Sequence, residues 1–191
     1  MEKLQKLPLS QSSFEKIISK EMLYVDKTRQ ILSLLNRGDY LFLSRPRRFG
    51  KSLLVSTLKS LFEGKKDLFK GLYIEDKWEW KEYPVIRMDF SALDYLEDVD
   101  TLKEDLVSFL EEIAQDYKVK IRGKTYKTLL RNLIKQLNRK FNRGVVFLID
   151  EYDKPIIDYL GKELETAEKN RSILKAFYSV IKDSDPYIEF L

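Results

Sequence analysis

Three short, strongly apolar runs, separated by helical patterns, constrain the fold of this chain most. They lie at 40–44 (YLFLS), 84–90 (PVIRMDF) and 144–153 (GVVFLIDEYD). Runs of this length are typical of strands buried on both faces, and their alternation with helices favours a largely parallel sheet covered on both sides. The sequence therefore predicts an α/β domain, a class in which ligands bind beyond the carboxyl ends of the strands.

Apolar residues at helical spacing fill the intervals between these runs. The pattern predicts two short helices between 14 and 37, and longer ones at 51–62, 99–118, 125–141 and 163–183. A basic turn, Lys118 to Lys124, separates the segments at 99–118 and 125–141. A last apolar run, YIEFL, occupies 187–191, and no repeat or linker divides the chain, which indicates one domain.

The composition removes several kinds of chemistry. The 191 residues include no His and no Cys, which excludes Ser-His-Asp and Cys-His nucleophiles and the usual zinc shells. Oxygen ligands remain, and these suit magnesium or calcium. No segment approaches the ~20 apolar residues of a membrane span, and the first residues lack the apolar core of a secretory signal. We therefore expect a cytoplasmic protein without a membrane partner.

The positive charge is unevenly distributed along the sequence. Lys and Arg number 35 against 31 Asp and Glu, which gives a net charge of +4. Residues 1–60 hold 12 Lys/Arg against 5 Asp/Glu, a net charge of +7. A basic first third favours a polyanionic partner, either nucleic acid or the phosphates of a nucleotide, with solvated lysine faces as the ordinary alternative.

Gly50-Lys51-Ser52 follows the first apolar run and opens a predicted helix, the context required of a phosphate-binding loop. Backbone N–H groups at the helix start would face the phosphates, Lys51 would reach the β and γ groups, and Ser52 would ligate magnesium. Arg45 stands where the general G-x-x-x-x-G-K-[ST] pattern has its first glycine. Because a bulky residue replaces glycine there, the residues alone do not establish that the loop follows its usual path. We expect the nucleotide to contact Arg47, Arg48, Phe49, Gly50, Lys51, Ser52 and Leu53.

A second motif is the apolar run from Val145 to Ile149, which ends in Asp150 and Glu151. Asp150 would hold the magnesium together with Ser52, and Glu151 would orient and deprotonate the attacking water, with Lys51 as the other catalytic residue. Acids that stabilise a helix N-terminus are the alternative. The order of the two motifs favours a nucleotide-hydrolysing domain with ATP and Mg²⁺ as its cofactors.

With these motifs the sequence resembles the predicted AAA-ATPase-like proteins of bacteria and archaea, which often carry a C-terminal PD-(D/E)XK nuclease-like domain. The resemblance implies a P-loop NTPase fold, a three-layer sandwich of the AAA/ASCE-like kind with a mainly parallel sheet, and it makes Arg45 a family trait. The resemblance covers nearly the whole chain. The segments that carry it are YVDKT at 24–28, FLSRPRRFGKSLLVSTL at 42–58, the segment at 62–91, LIDEYDKP at 148–155 and FYSVIKD at 177–183.

The same resemblance implies a division of the chain and an incomplete sheet. Residues 1–39 would form a helical segment that contacts the base, with Tyr24 and Lys27 as contacts, although a core position for Tyr24 is an equal alternative. Residues 40–191 would form the ATPase core. In the family a sensor strand lies between the P-loop strand and the Walker B strand, and YIEFL would be its opening residues. We therefore expect an open sheet, truncated before the sensor residue and the nuclease-like domain.

Rival interpretations remain at several positions. Glu75-Asp76-Lys77 and Glu79-Trp80-Lys81 have the E-x-K spacing of a metal-dependent nuclease, but such spacing arises by chance in a chain with 35% charged residues, and Trp78 and Trp80 fit core positions. A nucleic-acid-binding domain and a non-catalytic, nucleotide-responsive module that acts through a partner are the alternative functions. The roles of three further residues are open. Asp89 and Asp153 could either support magnesium or cap a helix, and Arg171 is a candidate arginine finger in an oligomer.

Overall fold

A computed structural model describes residues 5–44, 46, 48–93 and 99–191, which form an α/β fold around a small parallel sheet. The helices are α1 (Phe14–Ser19), α2 (Thr28–Leu35), α3 (Lys51–Phe62), α4 (Val99–Asp116), α5 (Tyr126–Phe141), α6 (Lys154–Ile157) and α7 (Leu164–Asp183). The strands are β1 (Val85–Asp89), β2 (Val145–Asp150) and β3 (Ile188–Phe190). Short 3₁₀ turns occupy Lys66–Phe69, Phe90–Ala92 and Asp185–Tyr187.

The sheet has the order β1-β2-β3, and both pairings are parallel. β1 and β2 are in register from Val85 beside Val146 to Asp89 beside Asp150. Since both strands end on an aspartate, two carboxylates lie side by side at the carboxyl edge of the sheet. This is the edge at which ligands bind in open α/β folds.

Alternate residues of β2 feed two separate hydrophobic clusters. Val145 and Phe147 pack among residues of α4, α5 and α7, whereas Val146 and Leu148 pack among residues of α1, α2 and α3. The side chains of a strand point alternately to opposite faces, so helices cover the sheet on both sides. The predicted α/β class with a parallel sheet is confirmed, while the P-loop sandwich that the resemblance implies stays a prediction.

The helices and strands predicted from periodicity are confirmed with one exception, the strand at 40–44. The N–H of Leu191 donates to the carbonyl of Asp39 at 2.8 Å, and the N–H of Leu41 donates to the carbonyl of Leu191 at 2.7 Å. Residues 42–44 make no backbone hydrogen bond within the described part of the chain. The prediction of a strand over 40–44 is therefore wrong for the described residues, because backbone pairing stops at Leu41 and a strand needs a paired neighbour along its length.

β3 contains three residues of the YIEFL run and lies between β2 and the segment at 39–41. This is the place that the family resemblance implies for the opening of a sensor strand. A cavity lies between residues 42–43 and the second half of β2, and Phe190 and Leu191 form part of its wall. The expectation of a sheet truncated before a sensor strand stays a prediction.

Gly144 allows β3 to approach β2. A Cβ at this position would lie 2.7 Å from the backbone nitrogen of Glu189 and 2.9 Å from its Cα. We expect Gly144→Ala to lower the free energy of unfolding by about 2 kcal/mol, the usual cost of overpacking. Urea denaturation measures this change. Without the clash, alanine would stabilise an extended segment relative to glycine, so an increase in stability would contradict the placement of β3.

Candidate functional site

The start of α3 is built by a left-handed residue. Gly50 has a φ of 75° and is the N-cap of the helix, with its carbonyl accepting from the N–H of Leu54 at 3.0 Å. A Cβ on Gly50 would meet nothing within 4 Å, so the requirement for glycine is conformational rather than steric. Among the described residues, no side chain caps this terminus. The N–H groups of the first turn are therefore free to bind an anion.

Asp150 ends β2 with a buried carboxylate that is only half satisfied. The residue is 5% exposed, and its Oδ1 accepts from the N–H of Glu151 at 3.2 Å. Its Oδ2 is buried and has no hydrogen-bond partner among the described residues. A buried charged oxygen without a partner is costly, and a cation or a cation-bound water would remove that cost. The residue thus fits a magnesium ligand on its own geometry.

Lys51 and Asp150 line the same cavity, which has a volume of about 520 Å³. The cavity lies between residues 40–43 and the second half of β2, and Leu54 and Leu58 of α3 form part of its wall. The other side chains on the wall are mostly apolar, so the lysine and the aspartate are its charged groups among the described residues. The fold therefore brings one residue of each predicted motif to one opening.

The other residues of the predicted nucleotide loop surround the start of α3. Ser52 and Leu53 are half-buried in its first turn, and Arg48 and Phe49 are exposed just before it. Arg48 is also left-handed, with a φ of 66°. Arg47 lies outside the described residues, and so does Arg45. The predicted contacts of this loop with a nucleotide remain predictions.

Glu151 follows Asp150 at the carboxyl edge of the sheet and is exposed to solvent. Its φ is 51°, a conformation that is uncommon for residues with a side chain and that clusters at functional sites. The turn brings the N–H of Glu151 onto the Asp150 carboxylate. The two acids therefore point into different surroundings, one buried and one in water, as a metal ligand and a water-activating base would require.

Tyr24 occupies a core position. Its ring lies 5.1 Å from that of Phe14 in an edge-on arrangement, and burial raises the pKa of its phenol. Lys27 is the exposed N-cap residue of α2 and makes no side-chain capping bond. Neither residue lines the cavity that Lys51 and Asp150 share. The packing of Tyr24 agrees with the core alternative, while base contacts by either residue remain a prediction.

The remaining acids at the sheet edge divide by their contacts. Asp89 accepts from the N–H and the hydroxyl of Ser91 at 2.9 and 2.6 Å, and so caps the following 3₁₀ turn. Asp153 is the N-cap residue of α6 but makes no capping bond there. No group of three acids placed to hold a metal occurs in the described residues. A cation here would depend on Asp150, a hydroxyl and ligand oxygens.

Two tyrosines on the cavity wall were not singled out by the sequence. Tyr178, on α7, has a buried hydroxyl without a partner among the described residues. Burial, with Tyr152 and Asp153 nearby, raises the pKa of Tyr178 well above its usual range. Tyr152 contacts Phe42 edge-on at 5.6 Å between ring centres. Tyr152 had a local signal, since it follows Asp150 and Glu151 directly, whereas no local pattern marks Tyr178.

The two E-x-K segments are engaged in local contacts. Lys77 pairs with Asp76 at 2.5 Å, and Lys81 pairs with Glu79 at 2.6 Å. Trp78 and Trp80 pack against the cluster beneath α3, as predicted. Arg171 is exposed on α7, and its role as an arginine finger remains a prediction.

Comparisons with known proteins place the chain in a family. The model of the family described as "Predicted AAA-ATPase" matches residues 8–191, and the chain belongs to this family. The chain is also 39% identical over 188 residues to the "Uncharacterized protein in vnfD 5'region" of Azotobacter chroococcum mcd 1. That alignment covers 97% of this chain and 36% of the relative, so the chain spans about a third of the relative's length. No solved structure matched the chain.

Family membership supports an ATPase function at a coarse level and implies ATP with a divalent metal as ligands. Within the described residues, no helix combines the length and apolar character needed to cross a bilayer.

Proposed function

We propose that this chain binds ATP with magnesium at the start of α3 and that the protein hydrolyses it. The observation that carries the proposal is the shared cavity of Lys51 and Asp150, one residue from each predicted motif. Residues Arg45–Ser52 would serve as the Walker A loop of a P-loop fold, and β2 with Asp150 and Glu151 as the Walker B motif.

The chain's own groups divide the work. The uncapped N–H groups of α3 and the ammonium of Lys51 would bind the phosphate oxygens, since both are donors at the positive end of a helix. Ser52 and Asp150 would hold magnesium, and the free, buried Oδ2 of Asp150 supports this assignment. When bound, the metal neutralises charge on the phosphates. Glu151, exposed beside the site, would accept a proton from the attacking water.

The magnesium assignment predicts a specific effect of Asp150→Asn. We expect this change to lower the affinity for magnesium in the presence of ATP by roughly 10- to 100-fold, the usual effect of removing a metal-supporting carboxylate. Titration of a fluorescent ATP analogue at increasing magnesium concentrations measures it. The metal-free variant should be at least as stable as the parent chain, because the substitution removes a buried, half-satisfied charge.

Asp89→Asn is the matched control for this experiment. Asp89 lies directly beside Asp150 in the sheet, but its carboxylate already caps a turn, and asparagine caps about as well as aspartate. The control should keep the magnesium dependence of the parent chain. An equal loss in both variants, or no loss in Asp150→Asn, would remove Asp150 from the metal site.

A second candidate is a non-catalytic, nucleotide-responsive module that acts through a partner. The observation that favours it is the open, mostly apolar cavity beside Lys51 and Asp150. Active sites that catalyse a reaction usually close and exclude bulk water, and this cavity is open to it. Magnesium-dependent ATP binding without measurable phosphate release from the 191-residue chain would support this candidate, and multiple turnovers would exclude it.

A further inference from the structure

A concentrated block of positive charge lies far along the sequence from the nucleotide loop. Residues 117–149 contain ten Lys or Arg, all within 118–143, and no Asp or Glu. The net charge of −3 over residues 61–191 conceals this block, because acids elsewhere outnumber it. Charge of one sign over a continuous stretch of folded chain produces a local field that attracts polyanions.

The first wall of this surface is the strip at 118–122, which follows the end of α4 and begins with Lys118 in a left-handed turn. Lys118, Lys120 and Arg122 are exposed, whereas the alternating Val119 and Ile121 pack against the hydrophobic cluster of α4, α5 and α7. Exposure therefore alternates along the strip, with the three cations outside and the two apolar residues inside. The strip therefore presents a row of three cations to solvent.

The second wall is the last part of α5. The N–H of Arg122 donates to the Oδ1 of Asn132 at 3.1 Å, and the Nζ of Lys140 donates to the carbonyl of Tyr117 at 2.6 Å. These bonds hold the strip along the helix and leave a groove of about 620 Å³ between them. Arg139 and Lys140 add two cations to the three of the strip, and no acid lines the groove.

The five lining cations form no ion pair with a carboxylate in the part of the chain that the structure describes. Five exposed, unneutralised cations around one concavity repel one another. An anion with several charged oxygens would relieve that repulsion, and phosphodiester backbones carry such charges at regular intervals.

The side chains in and around the groove favour some classes of polyanionic partner over others. Large exposed apolar or aromatic side chains are absent from residues 117–143, whose side chains are all described. A membrane-binding surface would present apolar residues for insertion, and a site for single strands would present aromatic rings on which bases stack. Asn132 and Gln136 are the uncharged polar side chains that line the groove, and the amide oxygen of Asn132 already accepts a hydrogen bond, so the lining offers mainly cationic donors, which suit phosphate oxygens.

We propose that this groove binds the phosphate backbone of duplex DNA without reading its sequence. The groove is separate from the nucleotide site. Tyr117, which begins the strip, bonds through its hydroxyl to both backbone groups of Val85, the first residue of β1. Asp89 and Asp150 lie at the opposite end of the parallel strands. DNA binding therefore does not depend on the proposed ATP site, and each proposal can fail alone.

The test is fluorescence anisotropy of the full chain with a labelled duplex of about 20 base pairs, two helical turns, at salt concentrations from about 50 to 200 mM. The parent chain should bind with a strong salt dependence. The triple variant Lys118→Ala, Lys120→Ala, Arg122→Ala should bind at least about tenfold more weakly, and the slope of log K against log salt should fall by about 2.7. Arg139→Ala, on the other wall, should lower the slope by about 1.

The matched control is Lys20→Ala, Lys66→Ala, Lys70→Ala, which removes the same charge from exposed lysines elsewhere on the chain. It should keep most of the DNA affinity, and all variants should retain the melting temperature of the parent, since the changed side chains are exposed. Equal losses in the control and the groove variant would overturn the proposal. Tighter binding to an RNA duplex, to single-stranded DNA or to anionic vesicles would overturn it as well.

Discussion

Lys51→Ala is expected to abolish measurable ATP binding. Lys51 is the first residue of α3 and lines the cavity with Asp150, so its ammonium is the one cation among the described residues of that wall. A hydrogen bond between charged groups contributes about 1.5 to 3 kcal/mol, and a lysine that reaches two phosphates makes more than one. The variant should therefore bind a fluorescent ATP analogue at least about 100-fold more weakly.

Lys59→Ala is the control for this change. Lys59 lies two turns further along the same helix, where it pairs with Glu63 at 3.6 Å, and it is not on the cavity wall. Loss of that partly exposed pair should cost at most about 1 kcal/mol of stability and leave ATP affinity intact. Unchanged affinity in Lys51→Ala would disprove the role of the Gly50–Ser52 segment.

Glu151→Gln is expected to bind ATP with unchanged affinity and to lose hydrolysis. A positioned general base accelerates proton transfer by about 10² to 10⁴, and glutamine has the same shape but cannot accept the proton. In the intact protein, steady-state phosphate release should fall by at least about 100-fold. Because Glu151 is exposed, the substitution should not change the melting temperature.

Glu168→Gln, an exposed glutamate on α7, is the matched control and should leave turnover unchanged. Equal turnover in Glu151→Gln and the parent protein would reassign Glu151 to the turn that follows β2. Weaker ATP binding with normal turnover would indicate contact with the nucleotide rather than activation of water.

Residue patterns predicted the parts of the fold that depend on local periodicity. The continuous apolar run Val145–Ile149 and the helical spacing from Lys51 to Phe62 each predicted an element close to its observed bounds. The proximity of Lys51 and Asp150 also followed from sequence, because ligands gather at the carboxyl ends of parallel strands. Long-range pairing was beyond these patterns, since an apolar run cannot reveal that, among the described residues of the run at 40–44, backbone pairing ends at Leu41.

Other features depended on what folding brings together. Tyr178 reaches the cavity from α7, and only the tertiary structure places its buried hydroxyl there. The basic groove was hidden for a different reason. Charge summed over 61–191 gives −3, although ten cations lie between 118 and 143 and five of them line a groove that no described acid lines.

The left-handed backbone of Glu151 lowers the stability of the folded chain at a position where the proposed function requires a carboxylate. A residue with a Cβ loses about 1 to 2 kcal/mol in this conformation, and glycine does not. Selection for thermal stability alone would thus drive the position towards glycine and away from a carboxylate. If Glu151 is the base that we propose, the folded chain keeps a strained backbone at the residue that the reaction requires.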